Sequence, residues 1–169
     1  METPDTPWAR NPDIRIHKPK IDNPDSSAVF FSEFLKSKSI RSGKLIEVGG
    51  GNGGNAVFFA EKGFEVHSAD KVFLNDLDLY GVISHSHNVG DFWHFEDGYF
   101  NIAFDSSCYH TLSDNEKQNY HNELNRILDF GGFFFLSVPE QEAKKIKIPG
   151  FQITLTKNIE DQVAFVLIK

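Results

Sequence analysis

The sequence predicts the α/β class: a doubly wound sheet of seven strands, mostly parallel, with an antiparallel strand pair at the C-terminal end. Three observations predict it. Short apolar runs alternate with helix-period segments from residue 44 to residue 138, the pattern of repeated strand-helix-strand units. The last two apolar runs, 151–156 and 163–168, have only a polar stretch between them, so they read as a hairpin. Between the first strand and the helix after it stands Glu47-Val48-Gly49-Gly50-Gly51-Asn52-Gly53, with glycine at every second position, as suits a backbone that must come close to something bulky.

Each element has its own warrant. Residues 1–24 carry five of the seven prolines (Pro4, Pro7, Pro12, Pro19 and Pro24) and predict an extended arm. The domain proper is then 25–169, long enough for one core and short for two. Val29, Phe30, Phe34 and Leu35 are spaced for an amphipathic helix over 25–38, capped by Asp25 or Ser26. The first strand is 44–48, the next helix 53–62 with Ala56, Phe59 and Ala60 inward, and the second strand 64–69. A short helix over 72–80 uses Leu74, Leu77 and Tyr80, and a weak strand follows at 82–88. The fourth strand is 101–104, and the helix 114–128 shows a stripe of Tyr120, Leu124, Ile127 and Leu128. Gly131-Gly132 reads as a turn into the strand 133–138, which Pro139 closes before a turn or two of helix at 140–146.

Composition excludes several function classes. The chain of 169 residues carries 17 basic and 24 acidic side chains, net -7. The excess of acid lies after residue 44, which disfavours nucleic acid as a partner. The single cysteine, Cys108, precludes an internal disulfide framework and predicts a reducing, cytoplasmic setting. Residues 1–13 have neither a charged leader nor an apolar core, and no apolar run approaches bilayer length, so no membrane partner is expected. His85 and His87 alternate and could form half of a metal site, with His94 nearby. No further ligand at a characteristic spacing completes it, so the expectation is a solvated turn and no metal.

The glycine turn admits two readings. Gly49, Gly51 and Gly54 satisfy the dinucleotide pattern GxGxxG, with Asp70 as the ribose-binding acid. Glu47 opposes that reading, since a carboxylate at the tip of the first strand repels a pyrophosphate and welcomes a cationic ligand. Over roughly residues 27–169 the chain resembles the class I S-adenosylmethionine-dependent methyltransferases, which share a Rossmann-like sheet. The likeness rests on LIEVGGGNGGNAVFFAEKGFEVHSADK, GDFWHFEDGYFNIAFDSSCYHTL and ELNRILDFGGFFFLSVP. The first of these looks most like the small enzymes of the tellurite-resistance and thiopurine type.

The resemblance implies roles for particular residues. Gly49, Gly51 and Gly53 would let the methionine and ribose lie against bare backbone, and Glu47 would act indirectly on the methionine ammonium. Asp70, followed by Lys71, would accept the ribose hydroxyls; Asp91 would take the adenine amino group, with Phe92 or Trp93 against the ring. Asp105 and Ser106 would meet the methionine amino group or open the acceptor pocket. Methyl transfer from a sulfonium is an in-line displacement that needs a base only for a protonated acceptor, and His110 and Tyr109 are the expected catalytic groups. Asp-Ser-Ser-Cys stands after the fourth strand, in place of the Asn/Asp-Pro-Pro-Tyr/Phe of base and glutamine methylating members, so a small-molecule acceptor is expected. Trp8 and Arg10 are candidates for a lid, Glu116, Lys117 and Glu123 for solvated surface, and the assembly for a monomer or homodimer. A binding module without catalysis, or an NAD-dependent oxidoreductase, are the competing readings.

Overall fold

The computed structural model of the protein describes residues 20–72 and 76–169, so Trp8, Arg10 and Leu74 lie outside the described residues. Seven strands form one sheet: β1 (Lys44–Val48), β2 (Glu65–Asp70), β3 (Val82–Ser86), β4 (Phe100–Ser106), β5 (Leu128–Pro139), β6 (Gln152–Ile159) and β7 (Gln162–Ile168). Their order is β3-β2-β1-β4-β5-β7-β6. Pairs among β1 to β5 are parallel, whereas β7 runs antiparallel to both β5 and β6. The strand order reverses between β1 and β4, the point at which open sheets of this kind take ligands in a crevice beyond the carboxyl ends of the strands.

Strand alternation sorts the core into two layers. Leu45, Ile102, Phe104, Phe135 and Val166 face α1 (Ser26–Ser37) and α2 (Gly54–Glu61). Ile46, Ala103, Phe134, Leu136 and Leu167 face α3 (Asp114–Ile127). On the first side Phe31 of α1 meets Phe104 at 6.0 Å and Phe135 at 5.2 Å, while Phe104 and Phe135 stack at 4.9 Å. On the second side the stripe of Tyr120, Leu124 and Ile127 is buried as its spacing predicts.

Helix boundaries follow their caps. Asp25 caps α1 by accepting from the Ala28 amide at 2.7 Å. Ser113 and Glu116 form a reciprocal capping box on α3. The short α4 (Glu140–Ala143) covers less than the expected 140–146.

Two expectations are corrected. The helix over 72–80 is reduced, among the described residues, to a 3-10 turn at Leu77–Tyr80, where Asp76, Asp78 and Gly81 favour turn over helix. Gly131-Gly132 lies inside β5, which begins at Leu128; the glycines sit beside a register shift against β4, and a side chain on Gly132 would meet the Asn101 carbonyl oxygen at 2.8 Å. The loop from β3 to β4 contains no helix. In it Trp93 is 1 % exposed, with its indole N–H donating to the Val89 carbonyl at 2.9 Å and its ring meeting Tyr120 edge-on. Arg126 on α3 clamps the same loop by donating to the Trp93 and Phe95 carbonyls, both at 2.6 Å, and to Asp97 and Glu123. Glu123 in turn accepts from the Trp93 amide, so it braces the loop and is no free surface charge.

Phe31 is fully buried and touches four other rings, so Phe31→Ala should lower the unfolding free energy by about 3–5 kcal/mol in urea denaturation. Phe130, 88 % exposed, is the control: Phe130→Ser should change it by less than about 0.5 kcal/mol.

Candidate cofactor and active site

In the Gly49–Gly53 turn, neighbours leave no room for a side chain on Gly49, Gly50 or Gly53. Gly49, Gly51 and Gly53 all have positive φ, at 73°, 54° and 83°. A Cβ on Gly49 would lie 2.7 Å from Cys108 Sγ, and one on Gly50 would strike the Ser68 hydroxyl and reach 2.9 Å from a Glu47 oxygen. Gly53 is closed in by Leu77, and Gly54 by the carbonyl oxygens of Asp22 and Asn23. Gly51 alone of these faces open space, with nothing within 4 Å of the position a Cβ would take. The bare backbone there is available to a ligand.

Parallel register brings the next group into place. Pairing of Val48 with Ala69 sets the turn beside the end of β2. There the Asp70 carboxylate accepts from the Gly51 amide at 3.0 Å with one oxygen and from the Val72 amide at 2.9 Å with the other. Each oxygen keeps a second lone pair, enough to receive a vicinal diol. Lys71 follows, exposed.

Glu47 is 2 % exposed and lies on the α1/α2 side of the sheet. Burial pushes its carboxyl up to about 8, against the lowering effect of hydrogen bonds from Ser68 and Asn55. A carboxylic acid in this position is poised to ionise when a cation arrives.

Alternation at the end of β4 separates two residues expected together. Asp105, fully buried, points to the α3 side, where it accepts from the amides of Cys108 at 2.8 Å and Tyr109 at 3.3 Å and from the Tyr120 hydroxyl at 2.8 Å. Burial lifts its carboxyl to about 6. It braces the loop after β4 and is not presented to a ligand. Ser106 points the other way and donates to Asp25 at 2.7 Å. Asp25 also bonds Asn55 through its amide and its carboxylate, and Ser26 bonds Glu160 in the β6–β7 turn. The start of α1 is thus tied to α2, β4 and the C-terminal hairpin over the carboxyl ends of the strands.

The loop after β4 carries the expected catalytic pair, and its two members differ. Tyr109 is 6 % exposed, its hydroxyl engaged with His121 Nε2 at 2.8 Å, which makes it part of the core. His110 is half-buried, and its Nδ1 is buried with no hydrogen-bond partner among the described residues. Burial pushes the Cys108 thiol up to about 12, so it packs against Gly49 as a neutral group.

Of the expected adenine contacts, Asp91 is exposed on a turn closed by its own amide bonding Asn88, and Phe92 rests 5.0 Å from the Arg126 guanidinium in the last turn of α3. Trp93 is core, which corrects its assignment as a ring platform. His85 lies on β3, within the strand expected at 82–88, but it is no member of a solvated turn: it bonds His67 of β2 at 2.9 Å, a pairing across strands that the sequence does not announce. Among the described residues no group of three or more His, Cys, Asp or Glu is placed to hold a metal ion, and no helix is long and apolar enough to cross a membrane.

No protein-family model matches the chain, and no curated protein matches its sequence. Solved structures do match. The chain is similar to the Burkholderia thailandensis 1,6-didemethyltoxoflavin-N1-methyltransferase, at 18 % identity over 85 % of this chain and 78 % of that one, with a TM-score of 0.72. It is similar to the putative methyltransferase yhhF of Escherichia coli, at 11 % identity over 90 % and 89 % of the two chains, with a TM-score of 0.71. The fold is that of the class I S-adenosylmethionine-dependent methyltransferases. The glycopeptide N-methyltransferase MtfA shares it as well, at 14 % identity over 88 % and 94 % of the chains, with a TM-score of 0.64. These likenesses speak for the general methyltransferase fold and leave the tellurite-resistance and thiopurine likeness unsupported.

Glu47 ionises in an unfolded chain near the usual carboxyl value but only near pH 8 when folded, so the folded state holds the extra proton. Its contribution is therefore most favourable at low pH and is lost as pH rises towards 8. Urea midpoints measured from pH 5 to pH 8 should fall more steeply for the wild type than for Glu47→Gln, with the variant the more stable of the two at pH 8.

Proposed function

We propose that the chain is an S-adenosylmethionine-dependent methyltransferase acting on a small-molecule acceptor. The observation that carries the reading is the open face of Gly51 beside an Asp70 carboxylate with acceptor capacity to spare. Glu47 fits the same ligand, because a buried carboxylic acid at the methionine end gains an attraction by giving up its proton to an ammonium, a gain that a pyrophosphate does not offer. Two matched structures hold ligands of this kind: the 1,6-didemethyltoxoflavin-N1-methyltransferase holds S-adenosylhomocysteine, and MtfA was solved with sinefungin.

Residues assign themselves along the crevice. Asp70 would hold the ribose hydroxyls, Gly49 and Gly51 would give backbone contact, and Glu47 would balance the methionine ammonium through its neighbours. Bound there, S-adenosylmethionine supplies an activated methyl group to an in-line nucleophile. The tied segment of Asp25, Ser26, Ser106 and Glu160 would exclude water and hold the acceptor side in register. His110, with its unpartnered Nδ1, is the group that would take a proton from a protonated acceptor.

A small acceptor suits the short connections. After β5 the chain offers only the four-residue α4 before β6, too little for an acceptor domain. The 1,6-didemethyltoxoflavin-N1-methyltransferase was solved with 1,6-didemethyltoxoflavin, a small molecule, and its fold match extends over most of this chain. The net charge of -7 favours the same class over a nucleic acid. A cytoplasmic setting accords with the single cysteine.

Titration calorimetry should show S-adenosylhomocysteine binding and no NAD binding; NAD binding alone would sink the proposal. Asp70→Ala should weaken binding by about 10- to 100-fold, the worth of charged hydrogen bonds. Because an ammonium next to Glu47 draws off its proton, binding near pH 7 should release a proton in the wild type and none in Glu47→Gln, as read from the buffer dependence of the binding enthalpy. Release of S-adenosylhomocysteine from S-adenosylmethionine against a panel of small amines, thiols, carboxylates and oxyanions tests turnover; binding without turnover across that panel would favour a cofactor-binding module.

A further inference from the structure

We propose that β6, the free edge of the sheet, is an interface at which the protein pairs with a second copy of itself, the two β6 strands running antiparallel across a two-fold axis.

β6 stands last in the strand order and pairs only with β7. A strand bonded on one side turns alternate backbone N–H and C=O groups outward, a template for a further strand. Edges are ordinarily protected by shortness, proline, charge or cover. The opposite edge, β3, is short, at five residues. β6 has eight residues, no proline and a single charge, Lys157. Its residues 152–158 are exposed on both faces, with Ile153 at 44 % and Leu155 at 37 %. A bulge at Thr154 is its one protective device, and 155–159 beyond it are regular.

Apolar surface accompanies the open edge. Leu155 pairs with Val166, which faces α1 and α2, so the Leu155 side chain lies on the α1 side. There the exposed Val29 and its neighbour Phe30 line a groove with Lys157 and Ile159.

Length and charge select the occupant. The longest proline-free stretch in residues 1–24, 13–18, has six residues, fewer than β6 presents, and a proline has no amide to give. A second β6 matches in length by identity. It matches in charge as well, because the two ends of the strand differ in sign. Lys147 comes just before the turn into β6, which the Phe151 amide closes on the Ile148 carbonyl at 3.2 Å, whereas Glu160 and Asp161 follow the last residue of the strand. All three are exposed. Antiparallel pairing sets the start of each strand beside the end of the other, so both ends of the seam bring a cation towards an anion. Glu160 already accepts from Ser26, which makes Asp161 the counterpart of Lys147 in the other copy.

The register follows from the one charge within the strand. An axis at Lys157, the centre of the regular part, would set like charges face to face. An axis one residue earlier, at Thr156, sets each Lys157 opposite Leu155 of the other copy on the α1 side. Lys157 lies 4.5 Å over the Phe30 ring on that side, where its stem covers apolar surface.

Sedimentation velocity on the full chain tests the pairing. A seam of this length lies at the small end of protein interfaces, so a monomer–dimer equilibrium with a Kd of about 1–100 μM is expected. Leu155→Lys places like charges opposite each other twice and should raise the Kd by about tenfold or more. Ile83→Lys, at an exposed position on the β3 edge, is the control and should leave the Kd within about twofold. Lys147→Glu should weaken pairing by about three- to tenfold, and adding Asp161→Lys should restore it. If Leu155→Lys does not fold, Thr156→Lys, which sets like charges on the axis itself, reads the same constant. A chain monomeric throughout that range would overturn the proposal, and slow hydrogen exchange of the β6 amides in that monomer would place another segment, such as residues 1–19, on the edge. A dimer dissociated by Ile83→Lys and indifferent to Leu155→Lys would overturn the choice of edge. Failure of the charge exchange to restore pairing would overturn the antiparallel arrangement.

Discussion

The Asp70 carboxylate is the constraint on which the site depends. It ties the Gly51 amide of the turn after β1 to the Val72 amide at the exit of β2, so two strand ends share one anion. Because β1 and β2 are parallel and in fixed register, that anion lies beside the only glycine of the turn whose outer face is open. The rest of the turn is filled from behind by Cys108, Ser68, Leu77 and the carbonyls of Asp22 and Asn23. A rigid turn that is crowded on one side and bare on the other is a preorganised contact surface, which spares a ligand the cost of ordering it.

The layers of the sheet explain why neighbouring residues serve different ends. At the end of β4, Asp105 enters the α3 layer and is consumed in bracing its own loop, while Ser106 enters the α1 layer and donates to Asp25 at the start of α1. The same parity puts Glu47 under α1 and α2, where burial keeps it a carboxylic acid at neutral pH. Two buried acids thus have opposite tasks. Asp105 is satisfied by three donors from within the fold, whereas Glu47, with a carboxyl lifted further, has the capacity to answer an incoming charge.

Much of this was legible in the sequence, and the exceptions have physical causes. Most of the strands and the helices α1 and α3 carry clear apolar patterns, and the glycine turn and Asp70 are local features that spacing alone brings close. What spacing does not carry is partnership across the sheet. The His67–His85 pair arises because β2 and β3 align Ala69 with His85, and no local pattern signals it. Trp93 beside Asp91 is one of two candidates for a ring platform, yet it is buried with its indole N–H satisfied. Glu116 and Glu123 read as surface charges on a helix, and only the folded loop against them reveals a cap and a brace. The Ser113–Glu116 spacing was the one signal that could have marked Glu116 in advance.

A crystal structure grown with S-adenosylhomocysteine tests the central claim most directly. The account predicts the ribose hydroxyls within hydrogen-bonding distance of both Asp70 oxygens, the sugar against the open face of Gly51, and the amino-acid end towards Glu47. Ligand density elsewhere, such as in the groove between α1 and β6 lined by Val29, Phe30 and Ile159, with the Gly51 face bare, would contradict it.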